Sequence, residues 1–239
     1  MRMYARTALL RTILGAGLAA AALAWGAASA RADEWNKTYV ISGRAQVRVQ
    51  TNDGHVTVYT GDKKEVGVHV ETTGFHISDS EVKVNVRQDG DRIDIDVRVP
   101  NHWCLFCANV HRGLKIEVHM PREGDLNVAT GDGHIRVNGR FDVLNLKTGD
   151  GSIEARVAAG SKMSGSWTIH TGDGSVDLTL PDGFQADLDA HTNDGRISLG
   201  FPVTVDGIIS KSEVRGKING GGGALTVHTG DGSIRLMRS

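Results

Sequence analysis

One short motif recurs six times in the chain and limits what it can fold into. Each copy has the form apolar-x-apolar-x-Thr-[Gly/Asn]-Asp-Gly-x-apolar-x-apolar, and the copies begin at Val47, Leu126, Leu144, Trp167, Leu188 and Leu225. Both arms alternate with a period of two, which predicts β-strands with one buried face. The residues between the arms are typical of tight turns, because Gly and Asn tolerate positive φ and Asp can bond its own backbone.

The copies follow one another at intervals near 20 residues. The four starts from Leu126 to Leu188 lie 18, 23 and 21 residues apart. Such a period is typical of repeat proteins whose units stack and bury a shared core. The segment VNVRQDGDRIDI from Val84 is interpreted as a degenerate copy with one extra corner residue. We expect one row of the core to contain Val56, Ile135, Ile153, Val176, Ile197 and Ile234.

Two all-β architectures fit this pattern. In a β-solenoid the chain turns the same way at every corner, and equivalent strands stack in parallel about 4.8 Å apart. In an antiparallel meander each Asp-Gly pair is the tip of a hairpin. We favour the solenoid because stacking brings identical corner residues together, whereas hairpin tips have no need to match. The sequence therefore predicts a single all-β solenoid domain over residues 33–239, built from roughly 20-residue coils with TGDG corners.

The first 32 residues have the features of a secretory signal peptide. Arg2, Arg6 and Arg11 precede an apolar run, and small residues in the pattern A-x-A follow it. This order predicts a signal peptide over residues 1–32 with cleavage after Ala32, and hence a location in the periplasm or at the cell surface. The alternative is a membrane anchor, but the run is shorter than the roughly 20 residues that a span needs. No transmembrane segment is expected after cleavage.

The charge of the predicted mature chain argues against nucleic acid as a partner. Removing residues 1–32 removes four Arg and no acidic residue, which leaves 23 basic and 28 acidic residues in 207, a formal charge of −5. A nucleic-acid-binding domain would show a basic face instead.

The sequence also lacks the motifs of common enzymes. It contains no GxSxG, HExxH or P-loop pattern. Its repeated aspartates would be spread along an edge, whereas glycosidases pair two carboxylates across a cleft. We therefore predict no catalytic residues, no cofactor and no enzyme activity.

Two sets of polar side chains could bind a metal if the units stack. Three outward histidines, His170, His191 and His228, precede corner threonines, and His170 and His191 would be neighbours if their units are adjacent. Such a pair could chelate a metal, although we interpret the three as exposed strand residues. The corner aspartates could bind calcium, although we favour hydrogen bonding of the corner Asp and Thr within the turn. These aspartates are Asp53, Asp132, Asp150, Asp173, Asp194 and Asp231.

The two cysteines of the chain lie in a loop predicted at about residues 100–113. Cys104 and Cys107 form a C-x-x-C sequence. Because exported compartments oxidise thiols, we predict a disulfide between them and no metal site. The alternative is a metal site in which His102 and His111 join the two thiolates, since zinc accepts both types of ligand.

The order of these segments resembles a known family. The stretches ISGRAQVRVQTNDGHVTVYTGDKKEVGVHVE, VKVNVRQDGDRIDIDVRVP and LKIEVHMP, followed by the TGDGSI units, are similar to exported bacterial proteins called "putative adhesins" of the DUF4097 type. The resemblance covers residues 36–239 and implies a right-handed parallel β-solenoid in the cell envelope, without established catalytic residues. The cysteine-containing segment departs from the usual pattern of the family.

These inferences together predict a non-enzymatic exported protein of the cell envelope. Stacked repeats present a long surface, which we expect to contact a glycan or another protein. The resemblance implies that this contact is adhesive. The alternatives are a structural element that self-associates through exposed strand edges, and a polysaccharide-acting enzyme of β-helix type. The outward positions of the expected surface are polar and varied: Arg48, Asn127, Asn145, Thr168, Asp189 and Thr226.

Overall fold

The computed structural model describes residues 32–99 and 112–239, and within these ranges the protein is all-β without helices. Apart from Ala32, the predicted signal peptide lies outside the described residues. The predicted disulfide between Cys104 and Cys107, and the alternative site with His102 and His111, also lie outside them.

The described residues form nineteen strands. They are β1 (Ala32–Val40), β2 (Gln46–Asp53), β3 (His55–Gly61), β4 (Glu65–Thr73), β5 (Lys83–Asp89), β6 (Arg92–Arg98), β7 (Gly113–Pro121), β8 (Gly124–Asp132), β9 (Ile135–Gly139), β10 (Phe141–Asp150), β11 (Ile153–Val157), β12 (Trp167–Asp173), β13 (Val176–Leu180), β14 (Ala186–Asp194), β15 (Ile197–Leu199), β16 (Val203–Ile209), β17 (Glu213–Ile218), β18 (Gly223–Asp231) and β19 (Ile234–Arg238).

The strands belong to two sheets that share one hydrophobic core. The nine-stranded sheet has the order β1-β4-β7-β3-β9-β11-β13-β19-β15, and the ten-stranded sheet has the order β16-β17-β14-β18-β12-β10-β8-β2-β6-β5. The core contains side chains of both, such as Val47 and Val49 from β2 and Val56 and Val58 from β3. Alternate residues of each strand supply the buried side, as the period of two predicts.

Each copy of the motif carries the chain from the ten-stranded sheet to the nine-stranded sheet. In the first copy β2 ends at Asp53 and β3 begins at His55, in the other sheet. The same step joins β8 to β9, β10 to β11, β12 to β13, β14 to β15 and β18 to β19. The Asp-Gly pairs of the six copies are thus not hairpin tips, because the strands on either side of them do not pair with each other.

Equivalent strands of neighbouring copies pair in parallel and in register. The apolar residues predicted to share a row of the core do so, in the spatial order Val56, Ile135, Ile153, Val176, Ile234 and Ile197. The first five are almost completely buried, and Ile197, on the edge strand, is partly buried.

The sheets are nevertheless mixed, whereas the solenoid prediction required purely parallel ones. β4 lies antiparallel between β1 and β7, and β17 lies antiparallel between β14 and β16. The segment from Val84 is an antiparallel hairpin, β5–β6, within one sheet, so its interpretation as a degenerate corner was wrong. Its turn contains Gly90 with a φ of 58°, a left-handed conformation that lets the chain reverse at once.

The units are also not stacked in the order of the sequence. The last copy, β18–β19, lies between β12–β13 and β14–β15. The condition under which His170 and His191 would be direct neighbours is therefore not met, and His228 lies between them. Since β17 pairs with one side of β14, the other side of β14 is left for β18.

The corners are linked to one another by hydrogen bonds. The N–H of Gly174 donates to the Asp231 carbonyl at 2.8 Å, and the hydroxyl of Thr229 donates to the Gly174 carbonyl at 2.8 Å. Thr171 and Thr192 make the equivalent bond to a neighbouring corner. The predicted bonding of threonine within its own turn was therefore wrong for these three, because their buried hydroxyls tie adjacent units together.

Candidate functional site

The corner aspartates form the column that stacking predicts. They are in register on neighbouring strands, and their side chains are exposed. Within residues 32–99 and 112–239, no three His, Cys, Asp or Glu side chains form a ready-made set of metal ligands. The calcium alternative therefore gains no support from the described structure.

A row of six outward side chains crosses the ten-stranded sheet, and we call it the polar strip. Its members lie in register on β2, β8, β10, β12, β18 and β14. In spatial order they are Arg48, Asn127, Asn145, Thr168, Thr226 and Asp189. These are the polar outward positions identified in the sequence, and the parallel register brings them into one line.

The polar strip leads to a cavity of about 720 Å³ at one end of the molecule. β1 and β5, the edge strands of the two sheets at this end, both contribute to its wall. The lining combines two aromatic rings with cations, carboxylates and amides. Its polar and aromatic residues are Trp35, Lys37, Tyr39, Arg48, Gln50, Asn85, Arg87, Asp94 and Asp96.

The aromatic wall of the cavity comes from β1. Trp35, Lys37 and Tyr39 are in register with valines of β4 that are buried in the core, so these three side chains face the inside of the molecule. The Lys37 ammonium lies 5.2 Å from the centroid of the Tyr39 ring, within the range of a cation–π contact. The Tyr39 residue is only 6% exposed, and its buried hydroxyl has no hydrogen-bond partner. Burial raises the pKa of this hydroxyl, which remains a neutral donor.

A second cavity, of about 240 Å³, continues along the same face of the sheet. It shares Arg48 with the first cavity and includes Asn127 and Asn145 of the polar strip. Beside it, Arg44 lies 3.3 Å from a carboxylate oxygen of Asp142. Burial raises the pKa of Asp142, and the Arg44 charge opposes this change. The two cavities are thus adjacent and have Arg48 in common.

The three outward histidines lie side by side on β14, β18 and β12, and we call them the histidine row. The ring centroids of His191 and His228 are 5.2 Å apart, and those of His228 and His170 are 5.1 Å apart. All three side chains are partly buried. Burial lowers the pKa of His170, and the neighbouring His228 and Lys147 lower it further.

Sequence reasoning missed the cavity, because most of its wall comes from segments outside the repeat. The β5–β6 hairpin was interpreted as a corner, and β1 was not assigned a role. The available signal was the spacing of Trp35, Lys37 and Tyr39, which places all three on one face of a strand.

One solved structure supports the fold. The crystal structure of a "putative cell adhesion protein" from Clostridium sporogenes has a TM-score of 0.62 at 14% identity, over 87% of this chain and 100% of that chain. At this identity the likeness concerns the fold alone. A "putative adhesin" from Bacteroides fragilis has a TM-score of 0.37 at 8% identity, over 87% of this chain and 97% of that chain.

The family model gives the more direct result. Residues 138–237 match the family described as Toastrack DUF4097, which confirms the DUF4097 resemblance predicted from the sequence for that part of the chain. A comparison with curated proteins gave no match. Across residues 32–99 and 112–239, no helix is long and apolar enough to span a bilayer.

Proposed function

We propose that this DUF4097-type chain is a non-enzymatic exported binding module of the cell envelope, which holds a glycan along the polar strip and in the cavity at its end. The observation that carries the proposal is that Arg48 belongs to the polar strip and also lines the cavity. The right-handed solenoid and the adhesive role implied by the family resemblance are part of this proposal.

The chemistry of the polar strip and the cavity fits a glycan. Sugar hydroxyls both donate and accept hydrogen bonds, and the amides of Asn127 and Asn145 and the hydroxyls of Thr168 and Thr226 can do the same. The aromatic residues Trp35 and Tyr39 offer apolar surfaces with polar tips, which suit a ligand that has both kinds of surface.

A repeated sheet face suits a chain-like ligand. Adjacent strands place equivalent side chains about 4.8 Å apart, so each unit can offer the same type of contact to a further part of the ligand. Such extended surfaces are typical of repeat proteins that bind through many weak contacts.

Binding of oligosaccharides tests the proposal. We would screen the exported protein on an array of bacterial and host glycans, and follow binding in solution by tryptophan fluorescence, because Trp35 lines the cavity. Arg48→Ala is expected to weaken binding at least tenfold, equivalent to about 1.4 kcal/mol. Arg136→Ala is the matched control, since it removes an exposed strand arginine from the other sheet, and it should leave binding unchanged.

Other outcomes would contradict the proposal. No glycan binding, together with ordered filaments in electron micrographs, would favour a self-associating structural element that uses the edge strands. Release of oligosaccharide products from a polysaccharide would show an enzyme. Equal loss of binding in Arg48→Ala and Arg136→Ala would place the site elsewhere.

A further inference from the structure

We propose that His191 and His228, with His170 beside them, can close by side-chain rotation on one zinc-type divalent metal ion at the outer face of the ten-stranded sheet. As they stand, no three such side chains among the described residues form a ready-made ligand set, so the proposed site rests on the pair. This site lies outside the cavity and goes beyond the proposed glycan binding. His228 is the central residue, because it lies between the other two.

The spacing of the rings already matches metal chelation. In a tetrahedral zinc site the metal–nitrogen distance is about 2.1 Å and each ring centroid lies about 1.2 Å behind its nitrogen, so two bound rings have centroids about 5.4 Å apart. The observed separations are 5.2 Å for His191–His228 and 5.1 Å for His170–His228. The rings now meet edge to face, with interplanar angles of 80° and 87°. Rotation of the side chains, without movement of the strands, would direct two nitrogens to one ion.

Charges at the two ends of the row favour the His191 side. Glu213 is in register with His191, and its carboxylate lies 3.1 Å from the Arg215 guanidinium. Lys147 is in register with His170, and its positive charge repels a cation there. We therefore assign His191 and His228 as the two principal ligands; the Glu213 carboxylate, which is paired with Arg215, is not counted among them.

The side-chain amide of Asn193 orients the His191 ring. The ring Nε2 lies 3.0 Å from Asn193 Oδ1, so the amide oxygen accepts the Nε2 proton and leaves Nδ1 with its lone pair. Hydrogen bonds of this kind orient the histidines that bind metals.

One other histidine pair has the same spacing and serves as an internal control. The ring centroids of His55 and His134 are also 5.1 Å apart. Lys115 is in register with His55, however, and the Ser152 N–H points at His134 Nδ1 from 3.5 Å. A nearby cation and an engaged nitrogen both disfavour a metal at this pair.

The test is calorimetric titration of the exported protein with zinc chloride near neutral pH. All proteins would carry Cys104→Ser and Cys107→Ser, so that thiolates do not contribute. We expect one bound ion per chain. Losing a residue that only orients a ligand weakens metal binding about 10–100-fold, so His228→Ala should weaken it by about 100-fold or more.

Further variants locate the site. His191→Ala should approach the effect of His228→Ala, and His170→Ala should have a smaller effect. The double variant His55→Ala/His134→Ala should bind zinc as the parent does. Circular dichroism and thermal melting would confirm that each variant is folded. An unchanged affinity in folded His228→Ala, or a loss of binding only in the His55/His134 variant, would overturn the assignment.

Discussion

Gly174 provides the sharpest test of how the units are held together. Its φ is +145°, a region that residues with a side chain rarely adopt. A Cβ atom placed on it would lie 2.2 Å from the Gly151 carbonyl oxygen and 2.6 Å from the Gly151 carbonyl carbon. Both atoms belong to the backbone of the neighbouring corner, so neither can move aside as a flexible side chain would. Gly174→Ala must therefore either separate the two units or change the backbone of the corner.

The expected cost of Gly174→Ala follows from the contacts it disturbs. Forcing a residue with a Cβ into this backbone region costs about 1–3 kcal/mol. Two hydrogen bonds at the corner, the Gly174 N–H to Asp231 and the Thr229 hydroxyl to Gly174, contribute about 1 kcal/mol each. We therefore expect the free energy of unfolding to fall by about 3–5 kcal/mol. For a chain of this size that lowers Tm by about 10 °C.

Two further glycines separate the causes. Gly183 has a φ of +76° but nothing within 4 Å of its Cβ position, so Gly183→Ala should show the backbone strain alone, about 1 kcal/mol. Gly61, in β3, has neither a positive φ nor a nearby atom, so Gly61→Ala should be neutral or slightly stabilising. Urea unfolding of the three variants measures this order. An equal effect of Gly174→Ala and Gly183→Ala would refute the close approach of the corners as the reason why glycine recurs at this place in the six copies of the motif.

Three other perturbations follow from the same structure. Thr229→Val removes a hydroxyl that is hydrogen-bonded to the neighbouring corner, so the free energy of unfolding should fall by about 1–2 kcal/mol. Thr130→Val removes a buried hydroxyl without a partner, so the free energy of unfolding should stay the same or rise. Urea unfolding of both variants measures the difference. The folded-state pKa of His170 lies below its ordinary value of 6.5, so the unfolded chain binds the proton more tightly and stability is lost as the pH falls through about 6.5. We expect His170→Gln to reduce the dependence of Tm on pH in this range. An unchanged slope of Tm against pH would contradict this prediction. Thiol titration of the denatured, non-reduced protein should find no free thiol at Cys104 and Cys107, and two reactive thiols would refute the predicted disulfide.

The corners could be predicted from the sequence because their requirements are local. Alternating apolar residues define the buried face of each arm, and Thr-Gly-Asp-Gly defines where the chain must turn. The row from Val56 to Ile234 and the polar strip both follow once equal residues are placed side by side in parallel register. Neither the core row nor the polar strip depends on the order in which the units are stacked.

The cavity could not be predicted in the same way, because it depends on pairing between unlike segments. The β5–β6 hairpin contains the same Asp-Gly pair as the corners, but Gly90 adopts a φ of 58° while Gly133 and Gly151 adopt 151°. Which conformation a glycine takes is decided by the strands it can pair with. Sequence spacing therefore indicated a turn at Gly90 without showing that both strands stay in one sheet.

The order of the units was hidden by the similarity of the repeats themselves. The corner glycine of the fifth copy, Gly195, packs against the Gly232 carbonyl, with a Cβ position only 1.9 Å away, and Gly232 packs against Gly174 in the same manner. A unit with glycine at this place can therefore pack against any other unit, and the corners alone do not distinguish one order from another. The choice is made by the unrepeated β16–β17 hairpin, which pairs with the free side of β14 and leaves the place between β12 and β14 for the last copy. The placement of the last copy between β12 and β14 also puts His228 between His170 and His191. The unrepeated hairpin therefore determines which histidines are neighbours in the histidine row.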